Sequence, residues 1–432
     1  MTDPKTTVLP LLQGSTWPGG AEALAQVHAL PIPTSKTEAW KYTRVGKLFN
    51  QPYAAPKGDA NVALPARLPF DTTRVVFVNG HFRADLSDDL TPGSGTGVQK
   101  GVVIDSLKHH LSHGPVKEHY GTLAPTSERL FTAMNTAAPT DGLILLVTKG
   151  VKVERPIHVL HVVRADGHRP ILMQPRDLFM LQEAAEAEVI IEHDLSRESG
   201  IALDTPEALV NSVRECVVGE GARLTIHKLQ REVNGPANIS FEGARVAAKG
   251  HFSISTTTLD GALIRNEVKV SLAGPEAHAE LNGVYLLNGT THCDNHTYIG
   301  HDVPDCTSDE LYKGLVAGKG TSVFNGKVYV KQDAQRTRAY QSNANILLSD
   351  DAKVYTKPEL EIYADDVKCS HGCTIGRLDE KGLFYLRSRG VSEAEARKLM
   401  AHAFITEVVE RVQNEEWKAV LTALIDAKLA RL

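Results

Sequence analysis

The stretch AKGHFSISTTTLDGALIRNEVKVSLAGPEAHAELNGVYLL, residues Ala248 to Leu287, decides the fold. Within it HFSISTT, EVKVSLA and AHAELNGVYLL follow a period of two, the pattern of short strands with one face buried. Each opens after a small or acidic turn and an Ala or Gly. No long amphipathic helix separates them, which argues against α/β units.

Outward from this stretch, over residues 151–377, the pattern continues in PIHVLHVV, EVIIEHD, SVRECVV, RLTIHKL, SVFNGKVYVK, RAYQSNANILL and AKVYTKPELEIY. The openings EAAEAEV, GEGARLT, AKGHFSI, GPEAHAEL, GKGTSVF and DDAKVYT recur at intervals of roughly 26 to 44 residues. A sandwich or a barrel can be built from such a series. The recurrence favours a β-solenoid, in which each coil stacks on the last.

The flanks read differently. Residues 1–150 are a mixed, mostly helical N-terminal region in which AEALAQVHAL alternates with Pro/Gly-rich connections. There Ser35 and Glu38 form a capping-box pattern that predicts a helix continuing through AWKYTRVGKLF. Residues 378–432 form a C-terminal helical domain. Ser392 with Glu395 is a second capping box, and Leu399, Ala403, Val408 and Val412 are an apolar stripe. The last helix gathers Trp417, Val420, Leu421, Leu424 and Ala427 on one side. Two roles stay open for these helices: a cap over the last coil, or a docking surface for another protein.

Composition excludes several classes. A chain of 432 residues with 42% hydrophobic content can bury a sizeable core. The net charge of −5 is spread along the chain, so nucleic acid is not an expected partner. There is no basic leader before an apolar core and no apolar run long enough for a membrane span, so a cytoplasmic location is expected, with no membrane partner. Five scattered cysteines, Cys216, Cys293, Cys306, Cys369 and Cys373, do not make a disulfide framework and fit a reducing compartment.

Three stretches carry candidate chemistry. GLVAGKGTS, Gly314 to Ser322, looks like a phosphate loop, but its spacing is one residue short and Gly320 follows Lys319, so it reads as a turn between coils. HCDNHTYIGHDVPDC concentrates His292, Cys293, Asp294, His296, His301 and Cys306. It lacks any C-x-x-C or H-E-x-x-H spacing, so both structural histidines and metal ligands remain open. KCSHGCTIG, Lys368 to Gly376, puts Cys369, His371 and Cys373 on one face if it is a strand. Same-face neighbours in a strand lie roughly 6.5 to 7 Å apart. Ligands on one zinc must approach to about 4 Å, so a closed mononuclear site within this spacing is not expected. Ligands shared with a partner, a larger cluster, a thiol activated by its histidine, or plain packing all fit.

Together, several blocks resemble the SufD family and, more broadly, the SufB/SufD proteins of Suf iron–sulfur cluster assembly. They are SKTEAWKYT (Ser35 to Thr43), FTAMNTAAPTDG with VERPIHV, DNHTYIGHDVPDCTSDELYKG (Asp294 to Gly314) and NANILLSDDAKVYTKPELEIYADDVKCSHGCTIG (Asn343 to Gly376). The resemblance spans most of the chain. It implies a right-handed parallel β-helix between N-terminal and C-terminal helical regions, pairing with a SufB-like β-helix protein. It also implies C-terminal helices that bind a SufC-like ABC-type ATPase, and a homodimer when the partner is absent. The chain would be a non-catalytic scaffold. By the same resemblance His371 and Cys369 are expected to hold a transient Fe–S cluster shared with the SufB-like partner, while Cys373 departs from the family text. The family is also linked to iron acquisition and to reduced flavin, for which no motif is present here. The rival readings are a β-helix carbohydrate-active enzyme and a passive scaffold. The former needs paired carboxylates in a groove, and Asp350-Asp351 and Asp365-Asp366 would point to opposite faces if extended.

Overall fold

The computed structural model describes residues 5–94, 97–164, 169–195, 208–232 and 235–432. The first four residues of the N-terminal stretch read above lie outside the described residues. The strands are β1 (Thr73–Val78), β2 (His81–Phe82), β3 (Val102–Ser106), β4 (Leu143–Val147), β5 (Ile157–Val163), β6 (Ile171–Met173), β7 (Arg176–Leu181), β8 (Glu186–Leu195), β9 (Ala208–Val218), β10 (Arg223–Arg231), β11 (Ala237–Val246), β12 (His251–Asp260), β13 (Leu263–Leu272), β14 (His278–Leu287), β15 (His292–His301), β16 (Thr307–Val316), β17 (Thr321–Val330), β18 (Thr337–Leu347), β19 (Lys353–Ile362) and β20 (Val367–Gly376). The helices are α1 (Gly20–Ala29), α2 (Gly114–His119), α3 (Leu130–Ala137), α4 (Glu380–Ser388), α5 (Glu393–Val409) and α6 (Glu415–Leu429).

From β8 onward consecutive strands alternate between two sheets, and from β9 to β18 each pairs in parallel with the strand two before and the strand two after it. The result is a parallel β-solenoid of about seven coils. Register is tight: Arg265 meets Asp294, 29 residues on, and Glu310 meets Gln341, 31 residues on. The wider spread of intervals in the sequence arises because GPEAHAEL opens β14 in one sheet while GKGTSVF opens β17 in the other. The openings are corners at which the backbone passes through left-handed conformation, as at Lys249 (φ 56°), Glu276 (φ 61°) and Gly318 (φ 59°). At Gly318 an added Cβ would also sit 2.9 Å from the backbone nitrogen of Gly289, so this corner needs glycine for space and for conformation. The phosphate-loop look-alike is therefore a strand-to-strand corner, and no helix follows it.

The interior is half apolar and half polar. Leu224, Ile226 and Ile254 face Val246, Val268 and Val270 in one continuous core. Farther along the same strand faces lies a buried polar seam. Arg214 donates to Asp177 at 2.7 Å, Lys228 donates to Glu242 at 2.8 Å and to Asn266 at 2.9 Å, and Asn266 donates to Asn295 at 3.0 Å. Buried charges persist only when paired in this way.

The boundary expected near residue 151 does not match where the sheets start. β1 pairs in parallel with β5 and β4 with β7, so strands of the N-terminal region already belong to the two sheets, and that region is mixed rather than mostly helical. β1 is buried along its whole length and therefore lacks the alternation that marks a half-exposed strand. The antiparallel partners β2, on β1, and β3, on β4, end the sheets on this side.

The helix expected from Ser35 is also absent. Glu38–Trp40 makes a single 3-10 turn without a side-chain cap. Tertiary contacts hold this segment instead. Lys357 Nζ donates to Glu38 at 2.6 Å, and the Arg265 guanidinium lies 3.8 Å from the centre of the Trp40 ring, which stacks on Phe131.

At the other end Ser392 caps α5 through the Glu395 amide, as the sequence indicates. The buried face of α5 is Ala401, Ile405 and Val408, with Val412 buried just after the helix ends, while Leu399 is 47% exposed and Ala403 is exposed. Together with Trp417, Leu421 and Ile425 of α6, these residues pack on Leu229, Val284, Leu286, Leu311 and Leu315. Those positions alternate with the interior residues, so the helices cover the outer flank of one sheet. They do not cap the last coil.

Candidate functional site

Both sheets stop at the C-terminal end of the solenoid. Among the described residues β19 is hydrogen bonded only to β17 and β20 only to β18, so each is an edge strand with one side unpaired. Long, flat edges of this kind are templates for pairing with another chain unless something covers them. KCSHGCTIG is the body of β20, and its alternation puts Cys369, His371 and Cys373 in register with Ala339, Gln341 and Asn343 of β18. Those three β18 residues are buried and face the interior. The next coil would bury Cys369, His371 and Cys373 in turn. Without it Cys369 is half-buried and His371 and Cys373 are exposed. The two thiols and the imidazole therefore line the open mouth of the solenoid.

This geometry tests the chemistry expected of them. The three side chains do not gather into a three-ligand cluster, in accord with the strand spacing. Burial raises the Cys369 thiol above its ordinary value, opposed only by the backbone at Ala339. A thiolate activated by His371 is thus not what the isolated chain holds at Cys369; an incoming metal or cluster would have to displace the proton.

The HCDNHTYIGHDVPDC constellation divides into two by face. Cys293, Asn295 and Ile299 point inward along β15, and burial pushes the Cys293 thiol up to about 12. His292, Asp294 and His296 point outward, where they hold the N-terminal segment. Arg265 and Thr43 both donate to Asp294 Oδ2, His292 Nε2 lies 2.8 Å from Thr43 Oγ1, and His296 Nε2 lies 2.9 Å from Asp294 Oδ1. Burial lowers both histidines toward the neutral form. His301 Nε2 is 2.9 Å from Ser308 Oγ, and Cys306 donates to the Gly274 carbonyl. These six residues do not form a metal cluster; they clamp SKTEAWKYT to the solenoid and fill its core.

A family model described as "SUF system FeS cluster assembly, SufBD core domain" matches residues 163–404, more than half of the chain, and a "SufBD protein N-terminal region" model matches residues 20–159. The chain belongs to the SufBD family. It is 30% identical over 415 residues to the iron–sulfur cluster assembly protein SufD of Escherichia coli (strain K12), covering 95% of this chain and 93% of that one. It is 32% identical over 416 residues to an iron–sulfur cluster assembly SufBD family protein of Mycobacterium tuberculosis, covering 93% and 91%. It is also 30% identical to a chloroplastic protein of Arabidopsis thaliana, covering 89% and 80%. Its role as a SufBD family member lies in Suf iron–sulfur cluster assembly. Among the described residues no helix is long and apolar enough to cross a membrane.

No sequence signal marks the last coil as open, because β19 and β20 carry the same alternation as the covered strands. The polar seam was legible in principle, since Lys228 and Gln230 share the parity of Leu224 and Ile226 in RLTIHKLQ.

Proposed function

We propose that this chain is the SufD-type, non-catalytic scaffold subunit of an assembly complex. In it the open end of the solenoid pairs with a second, SufB-like β-solenoid, and a nascent cluster is held across the junction. The observation that carries this reading is the coincidence of two unpaired edge strands with Cys369, His371 and Cys373 on the same mouth. Strand addition at β19 and β20 would satisfy the free backbone groups and bury the three side chains against the partner. Soft thiolates and an imidazole suit iron–sulfur cargo, and ligands divided between two chains can release it when the junction shifts. Without the partner, the same edges would let two copies of this chain pair.

The second surface is helical. Phe384 (73% exposed) and Tyr385 (58%) on α4, with Leu399 on α5, project from helices whose other faces are already packed. We assign this patch to a SufC-like ABC-type ATPase, whose nucleotide state would bias the solenoid junction. The buried free thiols Cys216, Cys293 and Cys306 suit a reducing compartment, which we take to be the cytoplasm.

The carbohydrate-active alternative finds no support. Asp350, Asp351, Asp365 and Asp366 lie in corners between strands, and Asp350 is tied to Arg377 at 2.6 Å. The deciding experiment is anaerobic purification of the tagged chain from its native host. Stoichiometric recovery of an ABC-type ATPase and a second β-solenoid is expected. Recovery of the chain alone at every salt concentration would refute the assignment.

A further inference from the structure

A different group of ligands lies on the outer flank of the solenoid, remote in register from the open mouth. His251 opens β12 and His278 opens β14, and the two are registered partners on neighbouring coils. Their rings lie 4.6 Å apart. Glu280 follows His278 on the same face. The ligand atoms of all three lie within 4.8 Å of one another, the one such cluster among the described residues. All three are half-buried, open enough to be reached and covered enough to be held.

The bland account is an aromatic stack across two coils, and it leaves too much unexplained. The side chains of His251 and Glu280 make no hydrogen bond or ion pair among the described residues, although Glu280 sits on the histidine face. His278, by contrast, already has the partner that a metal-bound imidazole needs: its Nδ1 lies 2.6 Å from Thr307 Oγ1 on the next coil. That contact leaves Nε2 free and fixes the ring, as outer partners of ligating histidines do.

We propose that His251, His278 and Glu280 form a binding site for a borderline divalent first-row cation such as Zn²⁺ or Fe²⁺. Two imidazoles and one carboxylate are the donor set of open, three-ligand sites for these ions, with further positions left to water or an incoming group. Hard ions such as Mg²⁺ and Ca²⁺ would want more oxygen ligands. Bound zinc places its ligands about 3.3 Å apart, so the cluster must close by about an ångström or a little more, which side-chain rotation supplies. Arg223 opposes the cation, while Glu280 and the nearby Asp309 favour it. The site stands independently of the cluster role proposed for the open mouth.

The test uses the full chain carrying Cys369→Ser, His371→Ala and Cys373→Ser, which removes the thiols and imidazole of the mouth. Co²⁺ titration followed by its visible d–d spectrum, with Zn²⁺ titration by calorimetry, should show one equivalent bound. Glu280→Gln, nearly the same shape and on the outer flank, should weaken binding at least about tenfold, and His278→Ala should abolish it. Thr307→Val, which touches only the outer partner, should cost about 10- to 100-fold. Arg223→Gln should tighten it. The proposal is overturned if the mouth-less chain binds no stoichiometric metal. It is equally overturned if binding survives unchanged in both Glu280→Gln and His278→Ala while thermal melting shows each variant folded. His110→Ala serves as a control for the separate surface group His110, His113 and Asp105, and should change nothing.

Discussion

Gln341 and His371 are registered partners on adjacent coils with the same inward-facing parity, yet Gln341 is 3% exposed and His371 is exposed. Gln341 Nε2 donates to buried Glu310 at 2.6 Å on the coil before it. The ladder Glu310, Gln341, His371 therefore runs from the sealed interior to the open mouth and ends on an imidazole. His371→Ala removes a group with no structural duty in the isolated chain. It should leave partner recovery intact and lower iron and acid-labile sulfide in the purified complex by about tenfold, the scale on which even outer partners of a metal ligand act. Unchanged iron and sulfide would remove His371 from the cluster.

Edge pairing predicts a different phenotype. Ile375 is the apolar residue at the far end of the inward face of β20, and it is 48% exposed. Ile375→Lys places a charge where native edges place one to refuse a partner strand. The monomer should keep its stability within about 0.5 kcal/mol by urea denaturation, because little is buried there. Co-purification of the second solenoid, read by multi-angle light scattering, should be lost. Intact pairing would mean that β20 is not the junction.

Much of this arrangement was readable from the sequence, and the failures have physical causes. Period-two alternation located the coils because each strand buries one face. The same rule missed β1, which is buried on both faces, and so put the sheet boundary too late. Ser35 and Glu38 satisfied a capping pattern, but Lys357, Arg265 and Phe131 offered Glu38 and Trp40 better partners than a helix could. Alternation correctly put Cys369, His371 and Cys373 on one face, yet whether that face is sealed depends on a coil that is not there. The outward triad His251, His278 and Glu280 went unnoticed because two of its members are brought together only by coil register.

Asp294 should be the most expensive single residue in the clamp that seats the N-terminal segment. Burial alone would raise its carboxyl, but Arg265, His296 and Thr43 together hold it well below the ordinary carboxylate range. A depressed carboxyl contributes stability that is present above its unfolded value and lost as pH falls through the folded one. Asp294→Ala leaves the Arg265 guanidinium buried without its partner, for an expected loss of about 3–5 kcal/mol in urea denaturation at neutral pH. A loss below about 1 kcal/mol would show that Glu267 and the Trp40 ring satisfy Arg265 without it.

Glu310 works in the opposite sense. Burial raises its carboxyl to about 7, against the hydrogen bond from Gln341. The folded value lies above the unfolded one, so its stabilising contribution is full below the unfolded value and is lost as pH rises through about 7. Glu310→Gln removes the ionisation and keeps an oxygen for Gln341. Its stability advantage over the wild type should be smallest near pH 4.5 and grow by up to about 1.4 kcal/mol per pH unit toward pH 7, then level off. Urea midpoints across that range measure it, and a pH-independent difference would refute the assignment.

The helical patch makes the last prediction. Phe384 is the most exposed large apolar side chain among the described residues at 73%, and it projects from α4 while Leu383 beside it is buried against Leu378 and Ala396. Nothing in the isolated fold rewards that exposure, so Phe384→Asp should leave the melting temperature unchanged. At an interface, an aromatic anchor of this kind carries at least about 2 kcal/mol. The substitution should therefore weaken ATPase binding at least about 30-fold in a titration with the purified ATPase, while pairing through β19 and β20 persists. The reverse pattern, with solenoid pairing lost and the ATPase retained, would move the ATPase off these helices and reassign the patch to the second solenoid.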